Sequence, residues 1–250
     1  MEQPGGYGKA YHQSFHDPCR VRAAVFDDGM ARVAIVGIDA LFIRRQTVQS
    51  IRKAIQKQCG IPPQSVLISA SHTHSGGPIG YYLPGEFDDA PPLVRSLVYD
   101  RTACANPEYL ARVEHAIVAA VCAANARRTA ARGGLGYGLE DKVAFNRLFR
   151  MKDGFAMTHP GQGNPAIIEP AGPTDPQVGV LGVWNPEGQF LGCIVNFACH
   201  ATTGPGGISA DYIDYLEETI LVKNSGHIDA GMHGTYFLLK YLMEQRIVTT

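Results

Sequence analysis

The chain lacks any run of eighteen apolar residues, which excludes a conventional membrane-spanning helix. It also lacks a basic tract: 22 Lys and Arg stand against 23 Asp and Glu, for a formal net charge of -1. That balance leaves no electrostatic footprint for a nucleic acid. Six cysteines are scattered at positions 19, 59, 104, 122, 193 and 199, with no Cys-x-x-Cys pair. They read as mostly reduced, buried thiols, and a disulfide framework is not expected. There is no Walker loop, no Gly-x-Ser-x-Gly elbow and no Rossmann fingerprint. No internal repeat is present. The opening Met1-Glu2-Gln3-Pro4-Gly5-Gly6 has no apolar core, so it is not read as a signal peptide, and the expected compartment is the cytoplasm.

What is present is enough apolar material for a sizeable core. The 250 residues are 45% hydrophobic and 18% charged, which suits one large domain or two small ones. Val21 to Phe26 and Ala31 to Ile38 are apolar runs around Asp27-Asp28-Gly29, a hairpin signal. Val48, Ile51 and Ile55 recur at helical spacing, and Gly60 with Pro62 stops that helix. Val66 to Ala70 reads as a buried strand. Residues 77–106 read as a long loop carrying Tyr81 and Tyr82. Asn106 and Pro107 open the clearest helix, with Leu110, Val113, Ile117 and Val121 as its apolar stripe. Residues 152–176 are proline-rich and read as irregular. A second hairpin is expected between Val178 to Trp184 and Phe190 to Phe197, around Asn185-Pro186-Glu187-Gly188. Helices are expected over 211–222 and from about Thr235 to Gln245. The sum is a layered α/β fold: a mixed sheet with packed helices and much antiparallel pairing.

Chemistry concentrates where apolar strands end. His72-Thr73-His74 follows Val66 to Ser71 and precedes Ser75-Gly76-Gly77-Pro78. If strand geometry continues, both imidazoles project from one face, as in a metal or acid/base site at a sheet rim. The alternative is a hydrogen-bonded pair of strand-end histidines. His200 follows Cys193 to Phe197 in the same manner and precedes the glycine-rich Gly204 to Gly207. It can converge with the first pair on one ion, or be a polar residue at a strand exit. Cys199 is either a soft ligand or a packing residue. Arg147 follows Val143-Ala144-Phe145-Asn146 and can hold a carboxylate or a developing oxyanion, or be paired at the surface. Asp39 and Asp211 are candidates to orient a ligand imidazole, or turn and cap residues. His227 and His233 read as exposed loop histidines.

Four of these segments together resemble the N-terminal catalytic region of the neutral/alkaline (non-lysosomal) ceramidase family. They are Val66 to Gly76, Phe145-Asn146-Arg147, Asn196 to Thr202 and Ile208 to Tyr212, in matching order, within a similarity over residues 7–220. Met151 to Gly154 and Glu169 to Pro173 look like the short bacterial relatives. The resemblance implies an α/β domain in which zinc assists hydrolysis of an N-acyl amide, with a ceramide-like lipid or another small N-acyl molecule as substrate. It implies His72 and His200 as zinc ligands, His74 as a catalytic or substrate-contacting histidine, and Arg147 as the residue that positions substrate or oxyanion. Further zinc ligands that the family supplies, a Glu and a Tyr, have no counterpart here. The chain is therefore expected to be a ceramidase-type domain over 1–222, incomplete at both ends and weakly active or inactive. Residues 223–250 would be an unrelated or degenerate tail. Within it, 224–245 resemble glycoside hydrolases of the rhamnosidase type. A non-catalytic binding module of the same fold, with an apolar pocket near Tyr81 and Tyr82, is the alternative. The sequence carries no signal for an oligomeric state.

Overall fold

Two short strands, β1 (Glu2–Gln3) and β2 (Ala10–Tyr11), pair antiparallel and hold the Pro4-Gly5-Gly6 turn between them. The computed structural model describes residues 1–6, 8–201, 207–208, 219–222 and 228–230. The first predicted hairpin follows, as β3 (Val21–Asp27) and β4 (Arg32–Ile38). Its turn is closed by the two aspartates. Asp27 Oδ1 accepts from Gly29 N at 2.9 Å, and Asp28 Oδ1 accepts from Met30 N at 2.9 Å and Ala31 N at 2.8 Å. Gly29 supplies the φ of +87° that the turn requires.

The predicted helical spacing forms α1 (Arg45–Cys59), which buries Thr47, Ile51 and Ile55. It connects β4 to β5 (Val66–Ala70), and these two strands pair parallel, as a crossover helix dictates. The stretch expected as a loop over 77–106 contains a helix, α2 (Pro92–Tyr99). That helix is eight residues long and buries only Val98, so it leaves almost no periodic signal. α3 (Pro107–Ala126) starts where the cap predicts, with Asn106 Oδ1 accepting from Tyr109 N at 2.8 Å.

The second half is mostly antiparallel. β6 (Arg132–Leu139) and β7 (Ala144–Asn146) lead into β8 (Leu148–Met151), β9 (Ala156–Thr158) and β10 (Ile167–Pro170). The last three form an antiparallel sheet in the order β10-β8-β9, where an irregular segment was expected over 152–176. β9 is exposed throughout and β10 nearly so, so neither shows the alternation that marks a half-buried strand. The second predicted hairpin is β11 (Gln177–Trp184) and β12 (Phe190–Phe197), with Asn185 Oδ1 accepting from Gln189 N at 2.7 Å across the turn. β13 (His200–Ala201), β14 (Thr219–Val222) and β15 (Ile228–Ala230) complete the elements. β14 lies parallel beside β12, which gives a four-stranded sheet β14-β12-β11-β6. The expected helix over 211–222 is thus strand at 219–222, where Thr-Ile-Leu-Val suits a sheet better than a helix. Its first part, and the helix expected from 235 to 245, lie outside the described residues.

The architecture is therefore mixed α/β, with five small sheets and three α-helices among the described residues. The main core lies between the β3-β4-β5 sheet and the helices α1 and α3. Val36, Ile55, Ile117 and Val121 are each 0% exposed there. Burial of each such side chain contributes about 1.5–3 kcal/mol. This layer fixes where β4 and β5 end, and the site is built on those ends.

Candidate metal centre

β4 and β5 run parallel, so both deliver their next residues to the same rim. β4 continues into Asp39-Ala40-Leu41, and Leu41 is 2% exposed. β5 stops at Ala70. Ser71 N donates to the Ile38 carbonyl at 2.9 Å, and His72 then turns into the left-handed region with φ +61°. A residue with a Cβ pays roughly 1–2 kcal/mol for that conformation. Strand geometry does not continue through His72, contrary to expectation. The turn, rather than strand alternation, brings His72 and His74 together, with ring centroids 5.0 Å apart and planes at 88°.

His200 reaches the same point from the other side of the fold. It leaves the end of β12 and starts β13, and it is 3% exposed. Its ring centroid lies 4.8 Å from that of His72 and 4.6 Å from that of His74. One ring nitrogen from each of His72, His74 and His200 falls within 4.8 Å of the others. Among the described residues no other metal-capable group of three forms. The expected convergence of His200 with the His-Thr-His segment is what the structure shows.

The outer nitrogens are set by backbone. His72 Nδ1–H donates to the Leu41 carbonyl at 2.7 Å, and His74 Nδ1–H donates to the Gly5 carbonyl at 2.8 Å. A carbonyl oxygen only accepts, so both Nδ1 atoms carry the proton, and a neutral ring then presents a lone pair at Nε2. His74 Nε2 lies 3.0 Å from His200 Nε2. Two nitrogens at that distance need a shared proton or a cation between them. Nitrogens on a tetrahedral zinc, each bonded at about 2.0–2.1 Å, stand roughly 3.3 Å apart. Imidazoles whose far nitrogen is tied to a carbonyl are also how zinc-binding histidines are usually oriented. The donor set therefore fits zinc.

The rim is packed tightly around these rings. Gly5 has φ +85°, and a Cβ there would lie 2.4 Å from His74 Nδ1. Thr73 is 0% exposed and accepts from Ser75 N through Oγ1 at 3.1 Å. His12 Nε2–H donates to the Gly76 carbonyl at 2.9 Å and ties the loop to the N-terminal segment. Gly5, Leu41 and His12 were not singled out in the sequence. Gly5 and Leu41 act through carbonyls, which carry no side-chain signature.

The other candidates are placed as follows. Arg147 is half-buried in the turn between β7 and β8. Asn146 builds that turn: its Nδ2 donates to Gly172 O at 3.1 Å, and its Oδ1 accepts from Leu148 N at 3.0 Å. The sheet order β13-β15-β7 sets His200 opposite Asp229, and Asp229 opposite Phe145, so Arg147 directly follows a strand of the sheet that holds His200. Asp39 accepts from Arg20 N at 2.7 Å and pairs with Arg22 at 3.6 Å. Cys199 is buried with the apolar core and is not in the metal-capable group. Asp211, His227 and His233 lie outside the described residues. Tyr81 packs on Phe42 with the rings tilted at 49° and their centroids 4.7 Å apart, and Tyr82 meets Phe87 edge-on at 5.3 Å. This gives an aromatic patch beginning one residue from the Leu41 carbonyl. A cleft of about 1390 Å³ lies elsewhere, lined by Val25, Val33, Leu181 and Ile194, with none of the three histidines on its wall.

The fold has solved counterparts. The crystal structure of neutral ceramidase from Pseudomonas aeruginosa superposes with a TM-score of 0.62 over 89% of this chain, at 19% identity. The fold is shared with neutral ceramidase. A second solved structure, a ceramidase complexed with C2, superposes with a TM-score of 0.59 over 84% of the chain, at 21% identity. This chain spans 35% and 33% of the length of those two proteins. No family model matches the sequence, and no curated protein matches it. No helix among the described residues is long and apolar enough to cross a membrane.

Proposed function

We propose that this chain carries the zinc half-site of an amidohydrolase of the neutral ceramidase type, acting on an N-acyl amide. The substrate is a ceramide-like lipid or another small N-acyl molecule. The observation that carries the reading is the meeting of His72, His74 and His200 at one point of a ceramidase-like fold. In this reading His72 and His200 hold zinc, as the sequence resemblance implies. Zinc, when bound, supplies Lewis-acid polarisation and a bound water whose pKa falls to about 7. His74 keeps its Nδ1 proton on Gly5 O, which leaves Nε2 to accept or return a proton at the scissile amide. Arg147 offers a fixed cation for the carboxylate formed or for the oxyanion that precedes it. The patch of Phe42, Tyr81 and Tyr82 takes the apolar part of the substrate.

A second division of labour is favoured by the 3.0 Å contact between His74 and His200. In it all three histidines are ligands, as in catalytic zinc sites with three protein ligands and an open position. The two are separated by His74→Ala. The first reading expects that variant to retain zinc and to lose hydrolysis of a fluorogenic N-acyl substrate by 100-fold or more. The second expects loss of the metal with the activity. Hydrolysis unchanged in His74→Ala contradicts both, whereas no hydrolysis by the zinc-loaded wild type favours a non-catalytic binding module of this fold.

A further inference from the structure

The four-stranded sheet β14-β12-β11-β6 ends on β6, which has no strand on its outer side among the described residues. Edge strands are usually blunted by a charge, a proline or a bulge. β10 follows that rule: it ends in Pro170, and its register with β8 is irregular between Ile167 and Glu169. β6 does not. Gly133 to Leu139 contains no charged residue and no proline, and the register with β11 runs unbroken from Arg132 to Leu139. Glu140 N donates to the Pro176 carbonyl at 2.8 Å, which extends that register by one pair. Backbone groups of the even-numbered residues therefore point at β11. The N–H and C=O groups of Gly133, Leu135, Tyr137 and Leu139 point out of the sheet edge. The same alternation puts three large apolar side chains on one face, and Leu135, Tyr137 and Leu139 are 83%, 65% and 71% exposed.

We propose that β6 pairs antiparallel with β6 of a second copy of this chain, about a two-fold axis at Gly136, and joins two four-stranded sheets into one. Only registers that set odd-numbered residues opposite odd-numbered residues match the outward groups of both strands. Two such registers keep the strands nearly centred on each other. In one, Leu135 faces its own copy and Arg132 faces the partner's Gly138. In the other, Leu135 faces the partner's Tyr137, Gly133 faces the partner's Leu139, and Arg132 faces the partner's Glu140. The second register alone sets opposite charges across from each other, once on each side of the axis. Arg132 is exposed and makes no ion pair among the described residues. Glu140 Oε1 accepts from Lys142 N at 2.7 Å, which leaves Oε2 for a cation. The two Leu135–Tyr137 cross-strand pairs cover the apolar face, and the strand ends are held by charge. A self-complementary contact of this kind closes at two copies.

The test is sedimentation velocity of the full chain over a concentration series, with backbone hydrogen exchange followed in the peptide 132–140. The expected result is a reversible dimer, with exchange in that peptide slowing as the dimer fills. Tyr137→Lys, at an exposed position on the edge, should give a folded monomer. Arg132→Glu and Glu140→Arg should each raise the dimer dissociation constant about tenfold or more, because two attractive pairs become repulsive. The double variant Arg132→Glu, Glu140→Arg should recover wild-type affinity. A wild-type chain that is monomeric at every concentration, a dimer without slowed exchange in 132–140, or growth into larger oligomers would each overturn the proposal. So would a dimer that survives Tyr137→Lys, or charge swaps that show neither loss nor recovery. The concentration series and the exchange use wild-type protein, so a variant that fails to fold does not decide the outcome.

Discussion

The layer of β3, β4, β5, α1 and α3 and the rim that stands on it obey different rules. The layer is apolar and closes by side-chain packing, with Ile55 and Ile117 at 0% exposure. The rim is polar and closes by backbone. His72 sits at φ +61°, two carbonyls orient two imidazoles, and Gly5 approaches a ring closer than any Cβ would permit. The layer spends its contacts on stability, while the rim carries local strain that only the layer beneath it can hold. Stability and chemistry should therefore respond to different substitutions.

The largest separation is expected from Ile55→Ala. Removal of that fully buried side chain should cost about 2–5 kcal/mol in urea unfolding, with zinc affinity unchanged in the fraction that stays folded. Gly5→Ala is the opposite case. A Cβ 2.4 Å from His74 Nδ1 must displace the ring or the Gly5 turn. Amide hydrolysis should fall about 100-fold, since misplacement of a reacting group by about 1 Å costs that much. The unfolding midpoint should move far less than in Ile55→Ala. If Gly5→Ala unfolds the protein instead, the rim is part of the core's cooperative unit and the comparison fails.

Smaller effects refine the contrast. Asn106→Ala removes the cap on α3 and should cost about 1 kcal/mol in thermal unfolding without touching zinc content. His72→Gly and His72→Ala both remove the imidazole, but only the first relieves the left-handed backbone. The glycine variant should be the more stable of the two by about 1 kcal/mol in the metal-free state. Equal stability would show that the turn at His72 holds no strain.

The same contrast explains what could be read from the sequence. Both hairpins, α1, α3 and β5 were legible because their apolar residues repeat over many positions and their turns carry Asp, Asn and Gly. The convergence of His72, His74 and His200 was legible as a possibility, since all three follow apolar strands. How they converge was not. The positive φ at His72 replaces the strand alternation that the His-Thr-His spacing suggested, and the orienting groups are carbonyls of Gly5 and Leu41. Short exposed elements such as α2, β9 and β10 bury too little to leave a period. β14 was read as helix because a run of three apolar residues, Ile220 to Val222, suits either period, and its pairing with β12 decides the matter.

The proposed sharing of one zinc ion by two histidines from opposite halves of the chain is what the chemistry rests on. Its most direct test is zinc content by inductively coupled plasma mass spectrometry, after zinc loading and gel filtration, of wild type, His72→Ala and His200→Ala. Circular dichroism would confirm that all three are folded. About one zinc per wild-type chain is expected, and none above background in either variant. Zinc absent from the wild type, or retained in full by folded His72→Ala, would contradict it.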